Sequence, residues 1–306
     1  MNHTNPQLER RFILALIISV IIFLAELLGG WWTNSLALLS DSAHVFLDVF
    51  ALALSYVALR VAALPADDRH TYGWHRVEVF AALMNGITLL GITVAIFYEA
   101  WERLQNPMPI HSGEMLVIAI IGLVANLVTA RLLHDHDHND LNTRSAFLHV
   151  VGDALASIGV IGGGIVILLT GWYIVDPLIS AFIGLIIVAS SWRVLRSSLH
   201  ILFEGAPEGI AIGDVAQAMG NVAGVQEVHD LHLWSICSGY PALSAHVLVA
   251  DAACETTTAQ METLKQTLAE RFGIQHTTIQ FETANCGQGT VVCQNGSSSK
   301  TPEDRK

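Results

Sequence analysis

Charged residues are scarce in this chain: they make up 14% of its 306 residues, whereas hydrophobic residues make up 52%. Such a composition favours apolar runs long enough to cross a membrane. The charge that is present is mostly acidic, with a net charge of −12, so the basic surface needed for nucleic-acid binding is not expected. The HExxH motif of zinc peptidases is missing as well, which argues against the alternative of an intramembrane metalloenzyme.

Cysteine is also rare, and all of it lies in the C-terminal part of the sequence, at Cys237, Cys254, Cys286 and Cys293. A cytoplasmic location of this part, predicted below, would keep the thiols reduced and argues against structural disulfides. Cys286 and Cys293 have six residues between them, instead of the two that are typical of a closed zinc clip. Metal capture by the tail is therefore a minor hypothesis.

Six apolar windows reach the length of roughly 20 residues that a bilayer core requires. They cover residues 12–32, 35–59, 79–101, 115–133, 146–172 and 177–195. The first window is too long for a cleaved signal peptide and no small-residue cleavage site follows it, so we expect it in the mature protein. The sequence predicts a membrane protein with an N-terminal tail (1–11), a six-helix domain (12–205), a soluble domain (206–284) and a flexible tail (285–306).

Arginines near the span ends fall mainly on one side of the predicted topology. That side has Arg10, Arg11, Arg60, Arg69, Arg76, Arg131, Arg144, Arg193 and Arg196, and the other has Arg103. Because cytoplasmic loops carry the excess of basic residues, both termini are predicted to be cytoplasmic.

Two spans each carry a histidine and an aspartate four residues apart: His44 and Asp48 in the second, His149 and Asp153 in the fifth. An ionisable residue inside a span costs at least about 2.5 kcal/mol, so it normally faces a partner or a polar cavity. Residues at i and i+4 share a helical face. One pair alone could simply hold helix packing, but its repetition favours a shared site.

The depths of the two pairs allow them to meet. Counting 1.5 Å per residue from cytoplasmic ends at Leu59 and Leu141, Asp48 lies about 16 Å deep and Asp153 about 18 Å. Two imidazoles and two carboxylates suit a tetrahedral divalent metal, with Zn²⁺ the default. The two aspartates carry a charge of −2 that either Zn²⁺ or two protons would neutralise. Metal and protons should therefore compete, as in a metal/proton exchanger.

These residues lie in longer stretches that together resemble the cation diffusion facilitator family of zinc transporters, especially its bacterial cobalt/zinc/cadmium-resistance branch. The resemblance covers about residues 12–283 and rests on "SLALLSDSAHVFLDVFALALSYVAL", "YGWHRVEVFAALMNG", "YEAWERL", "FLHVVGDALAS", "LFEGAP", "VHDLHLWSI" and "HTTIQFE". It implies six transmembrane helices followed by a cytoplasmic α+β ferredoxin-like domain. It also implies a homodimer, in a bacterial inner membrane, that exports Zn²⁺ in exchange for protons.

The family's transport motif maps onto His44, Asp48, His149 and Asp153. In the family a histidine at the first position accompanies a preference for zinc, whereas an aspartate broadens selectivity towards cadmium, so His44 favours zinc. Asp41 lies one turn earlier and could orient His44 from behind, or it could be a packing residue. A metal sensor with a passive membrane anchor is the other alternative, but an anchor would not require ionisable residues in its spans.

The soluble domain has an α-β-β-α-β pattern that suits a small ferredoxin-like sandwich. A short helix is predicted around residues 210–222, followed by the strands "VQEVHDLHLWSI" and "ALSAHVLVA". A second helix covers about 255–272, with Leu264 and Leu268 at helical spacing, and "HTTIQFE" forms the third strand.

Histidines cluster on these strands. His229 and His232 are an odd number of residues apart, so in a regular strand they face opposite sides and at most one shares a face with His246. The residues alone do not decide which one, because a slip of one residue in the register reverses the answer. The resemblance matches His229, His246, His276 and Glu282 to a cytoplasmic zinc site, and solvated strand histidines are the alternative.

Weaker signals lie in the loops. The run "HDHDHND", with His134, His136 and His138, could collect metal loosely or be simply solvated. Asp67 and His70 match part of a surface metal site known in some family members, but Trp74 stands where its second histidine is expected. By resemblance, Arg76 and Glu204 form a charge interlock at the dimer's waist. Other polar residues of the spans, Glu26, Asn85, Glu99 and Asn126, are expected to bond between helices.

Overall fold

The computed structural model describes residues 6–134, 141–250, 254–284 and 291, and their side chains within 14–129, 131, 152–250, 257–284 and 291. Six helices form the first two thirds of this described chain. They are α1 (Pro6–Thr33), α2 (Leu36–Ala62), α3 (Arg76–Gln105), α4 (Ser112–His134), α5 (Leu141–Thr170) and α6 (Val175–Leu202). Each is long and apolar enough to cross a membrane, which confirms the six predicted spans.

The chain divides into two compact units. One comprises Met1–Ala58 and Ala81–Leu195, and the other comprises Leu59–Phe80 and Arg196–Lys306. The segment that connects α2 to α3 therefore belongs to the same unit as the C-terminal residues.

The helical unit exposes large apolar side chains and buries small polar ones. Leu52, Phe182 and Leu185 are about two-thirds exposed, as side chains that face lipid should be, whereas Ser40 and Ser191 are fully buried. Buried serines bond to backbone carbonyls of their own helices, such as Ser40 Oγ to the carbonyl of Leu36 at 2.8 Å. These serine hydroxyls are thus satisfied within their own helices, where no water would reach them.

The start of α2 is held by a carboxylate from another helix. Asp176 of α6 is fully buried and accepts hydrogen bonds from the Ser35 hydroxyl (2.6 Å) and from the backbone N–H groups of Leu36 (2.7 Å) and Ala37 (3.2 Å). An acceptor at this position satisfies free N–H groups and complements the helix dipole. Arg103 of α3 donates to the carbonyl of Asn34 at 2.6 Å. These bonds fix the rotation of α2, and hence the direction of the side chains two turns further on.

The C-terminal unit contains α7 (Ile212–Gly220), β1 (Val225–Cys237), β2 (Tyr240–Val249), α8 (Cys254–Phe272) and β3 (His276–Glu282). β1 pairs antiparallel with β2, and β2 pairs parallel with β3. The parallel pair requires a crossover, which α8 supplies. Leu264 and Leu268 of α8 are fully buried against Leu243 and Val247 of the sheet. The predicted α-β-β-α-β order is confirmed.

A β-bulge interrupts β1 between its two histidines. His229 pairs with His246 and His232 pairs with Ser244, so three steps along β1 face two along β2. Asp230, inside the bulge, has a φ of 49°, in the left-handed region. The bulge therefore returns His232 to the face of His229. The expectation of opposite faces was wrong, because it assumed a regular strand.

Candidate metal sites

The first candidate site joins α2 to α5 inside the helical unit. The His44 Nε2 atom lies 3.4 Å from Asp153 Oδ1 and 3.9 Å from Asp48 Oδ2. One ligand atom from each of the three residues can be chosen so that all lie within 4.8 Å of one another. The side chains are between 14% and 34% exposed. Two carboxylates around one imidazole, in a largely apolar unit, form a suitable setting for a divalent cation; we call this group the membrane cluster.

His149, the fourth predicted ligand, lies on α5 one turn before Asp153. The i and i+4 positions share a face of a helix, so its backbone position is compatible with the membrane cluster. Its side chain lies outside the described residues, and its role as a ligand stays a prediction.

Two further carboxylates surround the membrane cluster. Asp41 is buried on α2, lies beside Ser157 of α5, and interacts electrostatically with His44 and Asp153. Asp41 therefore lies between the two helices that carry the cluster, so the two roles predicted for it, orienting His44 and packing the helices, are not mutually exclusive. Glu26 of α1 is also buried, and its charge interacts with Asp41 and Asp153. Sequence reasoning gave Glu26 only an architectural role, although an intramembrane carboxylate is itself a signal of function.

The second candidate site lies on the sheet, with one residue from each strand. Glu282 of β3 places Oε1 at 2.9 Å from His246 Nδ1 and Oε2 at 3.3 Å from His229 Nε2. His229 is fully buried, and the Glu282 side chain is 10% exposed. The sheet register creates this group, because His229 and His246 are direct partners in the ladder. We call it the sheet cluster.

Asp230 is a neighbour of the sheet cluster that sequence reasoning did not select. Its Oδ2 lies 3.8 Å from His246 Nε2, and its Oδ1 lies 3.1 Å from His232 Nε2. The bulge makes this reach possible, since it turns Asp230 out of the regular alternation of β1. The sequence offered one signal, an acidic residue between two strand histidines.

His276, the remaining residue of the predicted sheet site, is not brought to the other three. It begins β3 whereas Glu282 ends it, and six strand residues cover about 20 Å. Its ring instead lies 5.1 Å from the ring of Tyr72 and 6.4 Å from that of Tyr240, centroid to centroid. His276 and Glu282 lie on the same face of β3 because their spacing is even, but they are too far apart along the strand to bind one ion.

Two family models match the chain consecutively: the cation efflux transmembrane domain over residues 12–203, and the cytoplasmic domain of cation efflux proteins over residues 207–284. The chain belongs to the cation diffusion facilitator family. It is an integral membrane transport protein and not an enzyme, and the metalloenzyme alternative is not favoured.

Relatives resemble the transporter over almost their whole length. The metal cation efflux system protein CzcD of Cupriavidus metallidurans is 42% identical, over 93% of this chain and 90% of the relative. The cadmium, cobalt and zinc/H⁺-K⁺ antiporter of Bacillus subtilis is 38% identical, over 96% and 95%. The zinc transporter ZitB of Escherichia coli is 36% identical, over 93% and 92%. These likenesses place the transporter on the cobalt/zinc/cadmium branch, as the sequence motifs predicted.

A solved structure, the metal-bound C-terminal domain of the CzcD transporter from Cupriavidus metallidurans, is 38% identical to the C-terminal part of this transporter. The match covers 24% of this chain and 99% of the solved one, with a TM-score of 0.22.

The loop candidates, Asp67 with His70 and the histidines of the "HDHDHND" run, do not form a group of three ligands among the described residues. Asp67 accepts hydrogen bonds from the backbone N–H groups of His70 (2.6 Å) and Arg69 (2.8 Å), which lower its pKa below the usual range, and His70 Nδ1 lies 3.1 Å away. The His70 ring packs on Trp74 with centroids 3.8 Å apart, so an aromatic ring occupies the side where a further ligand was expected. The side chain of His134, as well as His136 and His138, lies outside the described residues.

Two other groups of the C-terminal unit can be placed. Arg76 Nη2 lies 3.5 Å from Glu204 Oε1, and the two side chains are 46% and 66% exposed. Burial raises the pKa of the Cys237 thiol, and the charge of Glu78 adds to the rise. A thiol with a raised pKa is a poor metal ligand, because the thiolate is the form that binds.

Proposed function

We propose that this transporter is a Zn²⁺/H⁺ antiporter that exports zinc and related divalent metals from the cytoplasm through His44, Asp48, His149 and Asp153. The observation that carries the proposal is the membrane cluster: nitrogen and oxygen ligands from two helices within 4.8 Å of one another, inside apolar spans. Further support comes from the relatives, whose names specify zinc, cadmium and cobalt and, for the Bacillus subtilis protein, H⁺.

Charge gives the exchange its chemical basis. The aspartates of the cluster carry −2 when ionised, and an unpaired charge in an apolar unit is costly. A divalent metal offsets that charge, and so do two protons. A proton on a carboxylate oxygen or imidazole nitrogen occupies the lone pair that the metal requires, so the two cargoes exclude each other.

The sheet cluster is suited to a resident metal. Two imidazoles and a carboxylate are common zinc ligands, and the group consists of His229, His246 and Glu282 with Asp230 nearby. Such an ion would hold the three strands together and would make the stability of the sheet depend on the metal level. We propose a structural and regulatory role for it.

The transporter works as a homodimer in the bacterial inner membrane with both termini in the cytoplasm. The arginines flanking the spans support this orientation. The relatives named above are bacterial, and the second matching family model describes a cytoplasmic domain.

A transport assay tests the proposed route. The purified protein is sealed into vesicles with an imposed pH gradient, and zinc movement is followed with an indicator dye. Asp48→Asn and Asp153→Asn should each abolish movement, because each removes an anionic ligand. Asp68→Asn is the matched control, since this aspartate lies in an exposed loop and its loss should leave movement intact. Undiminished zinc transport in both Asp48→Asn and Asp153→Asn would contradict the proposed transport site.

A second measurement tests the counter-ion. Zinc added to vesicles without a gradient should drive proton movement in the opposite direction, reported by a trapped pH dye. Zinc transport with no change of internal pH would contradict proton exchange while leaving metal transport in place.

A further inference from the structure

A cavity of about 460 Å³ lies within the C-terminal unit. Its walls are residues 69–74 of the α2–α3 connection, the first turns of α3, and Trp234 and Ile236 of β1. This volume falls in the range of small-molecule sites. Neither metal cluster contributes a residue to it.

The charged residues that line the cavity are both cationic. Arg69 and Arg76 contribute guanidinium groups, His70 an imidazole and Thr71 a hydroxyl, and no carboxylate is among the lining residues described. This is notable in a chain with only 15 Lys and Arg against 27 Asp and Glu. A guanidinium fork matches the geometry of a phosphate group. The cavity thus favours an anionic, phosphate-bearing ligand.

Two carboxylates close to these basic residues leave this preference in place. Glu204 contacts Arg76 at 3.5 Å through a single oxygen, whereas a guanidinium has five N–H donors. Asp67 is engaged by the backbone N–H groups of Arg69 and His70. Both carboxylates therefore already have cationic or N–H partners.

The other walls are aromatic and lie where α3 enters the membrane. Arg76 is the first residue of a candidate span, and Phe80, one turn further, is 53% exposed. Trp74 and Trp234 complete the apolar side. Aromatic side chains and arginines are typical of the membrane–water interface, and basic pockets beside transmembrane helices bind anionic headgroups.

We propose that this cavity binds the phosphodiester headgroup of an anionic phospholipid, with Arg69 and Arg76 on the phosphate and Phe80 along the first part of an acyl chain. Because the walls come from both the α2–α3 connection and β1, a bound lipid would stabilise the contact between them. The inference depends on the membrane placement of α3 and is independent of which metal is transported.

Lipid titration tests the proposal. The full-length protein is purified in a neutral detergent, phosphatidylglycerol is added, and bound lipid is counted by native mass spectrometry. One lipid per chain should bind in preference to phosphatidylcholine with the same acyl chains. Since a basic residue beside an anionic lipid accounts for roughly fivefold in affinity, Arg69→Gln with Arg76→Gln should weaken binding by about 30-fold. Arg69→Gln alone, which leaves the Arg76–Glu204 contact intact, should weaken it about fivefold.

Matched controls distinguish binding of the lipid in the cavity from its general attraction to basic residues of the protein. Arg193→Gln removes an exposed arginine of α6 and should bind the lipid as the parent does. Glu204→Gln removes the anionic partner of Arg76 and should bind the lipid at least as tightly as the parent. Equal binding to the double variant and the parent would overturn the proposal, as would equal binding of phosphatidylcholine. Displacement of the lipid by inorganic phosphate at the same concentration would overturn the assignment to a lipid in favour of a free anion.

Discussion

The membrane cluster and the sheet cluster use similar ligands in different proportions and on different supports. The membrane cluster has two carboxylates and one imidazole on two helices, and its His–Asp distances are 3.4 and 3.9 Å. The sheet cluster has two imidazoles and one carboxylate on three hydrogen-bonded strands, with His–Glu distances of 2.9 and 3.3 Å. The membrane cluster, which has the longer distances, is the more anionic and the more exposed of the two.

This difference matches the two proposed tasks. A cargo site must release its ion, and carboxylates that either a metal or protons can neutralise provide for that release. Helices can move relative to each other as packed units, whereas strands are tied together by their ladder of backbone hydrogen bonds. A closed group on a sheet is therefore better suited to retaining a metal.

The largest expected effect is the loss of zinc transport on changing a ligand of the membrane cluster, and one assay can compare it with the loss on changing the sheet cluster. In vesicles, Asp153→Asn should reduce zinc transport by at least roughly 100-fold, because it removes a ligand and not merely a neighbour of one. His246→Ala should reduce it by only about fivefold, the low end of coupling between distant sites. Equal losses in the two variants, with both proteins correctly folded by size-exclusion chromatography, would show that the clusters do not have separate tasks.

A change of ligand type in the membrane cluster should alter selectivity. His44→Asp replaces the imidazole with a third carboxylate, and a site of carboxylates discriminates less by donor type. We expect the ratio of cadmium to zinc transport to rise. The matched control is His246→Asp in the sheet cluster, for which the ratio should stay unchanged. A shift of similar size in the control would mean that selectivity is not set at His44.

The fold was largely predictable because its signals are local. Six apolar windows became six helices, and α5 begins at Leu141, the residue assumed in the depth estimate. The period of Leu264 and Leu268 predicted α8, and both are fully buried. The grouping of Leu59–Phe80 with the C-terminal residues was not predicted, since it depends on long-range contacts that leave no periodic pattern.

The membrane cluster was more predictable than the sheet cluster for a physical reason. Helical spacing of four places His44 beside Asp48 whatever the tertiary structure, and only the approach of α5 remained to be inferred. On the sheet, neighbours depend on register and on the bulge at Asp230. Residue spacing alone could therefore not exclude His276 or find Asp230.

Zinc binding distinguishes the observed sheet cluster from the predicted set. His246→Ala should lose one tightly bound zinc per chain, measured by equilibrium dialysis, whereas His276→Ala should retain it. At zinc concentrations about 100 times the dissociation constant, binding adds about 2.7 kcal/mol to the free energy of unfolding. That increment should vanish in His246→Ala and persist in His276→Ala. Loss of the zinc in both variants would restore His276 to the site.

The smallest effect on stability is expected at the exposed pair of Arg76 and Glu204. Pairs of this kind contribute about 0–1 kcal/mol, so Arg76→Glu or Glu204→Arg should hardly change the thermal unfolding of the protein. An interlock that couples the C-terminal unit to transport would nevertheless make each single reversal lower the transport rate, while the double reversal restores it. Additive losses in the double variant would assign the two residues independent roles. Because Arg76 also lines the proposed lipid cavity, its reversal should impair transport more in vesicles rich in anionic lipid, a difference that Glu204→Arg alone should not produce.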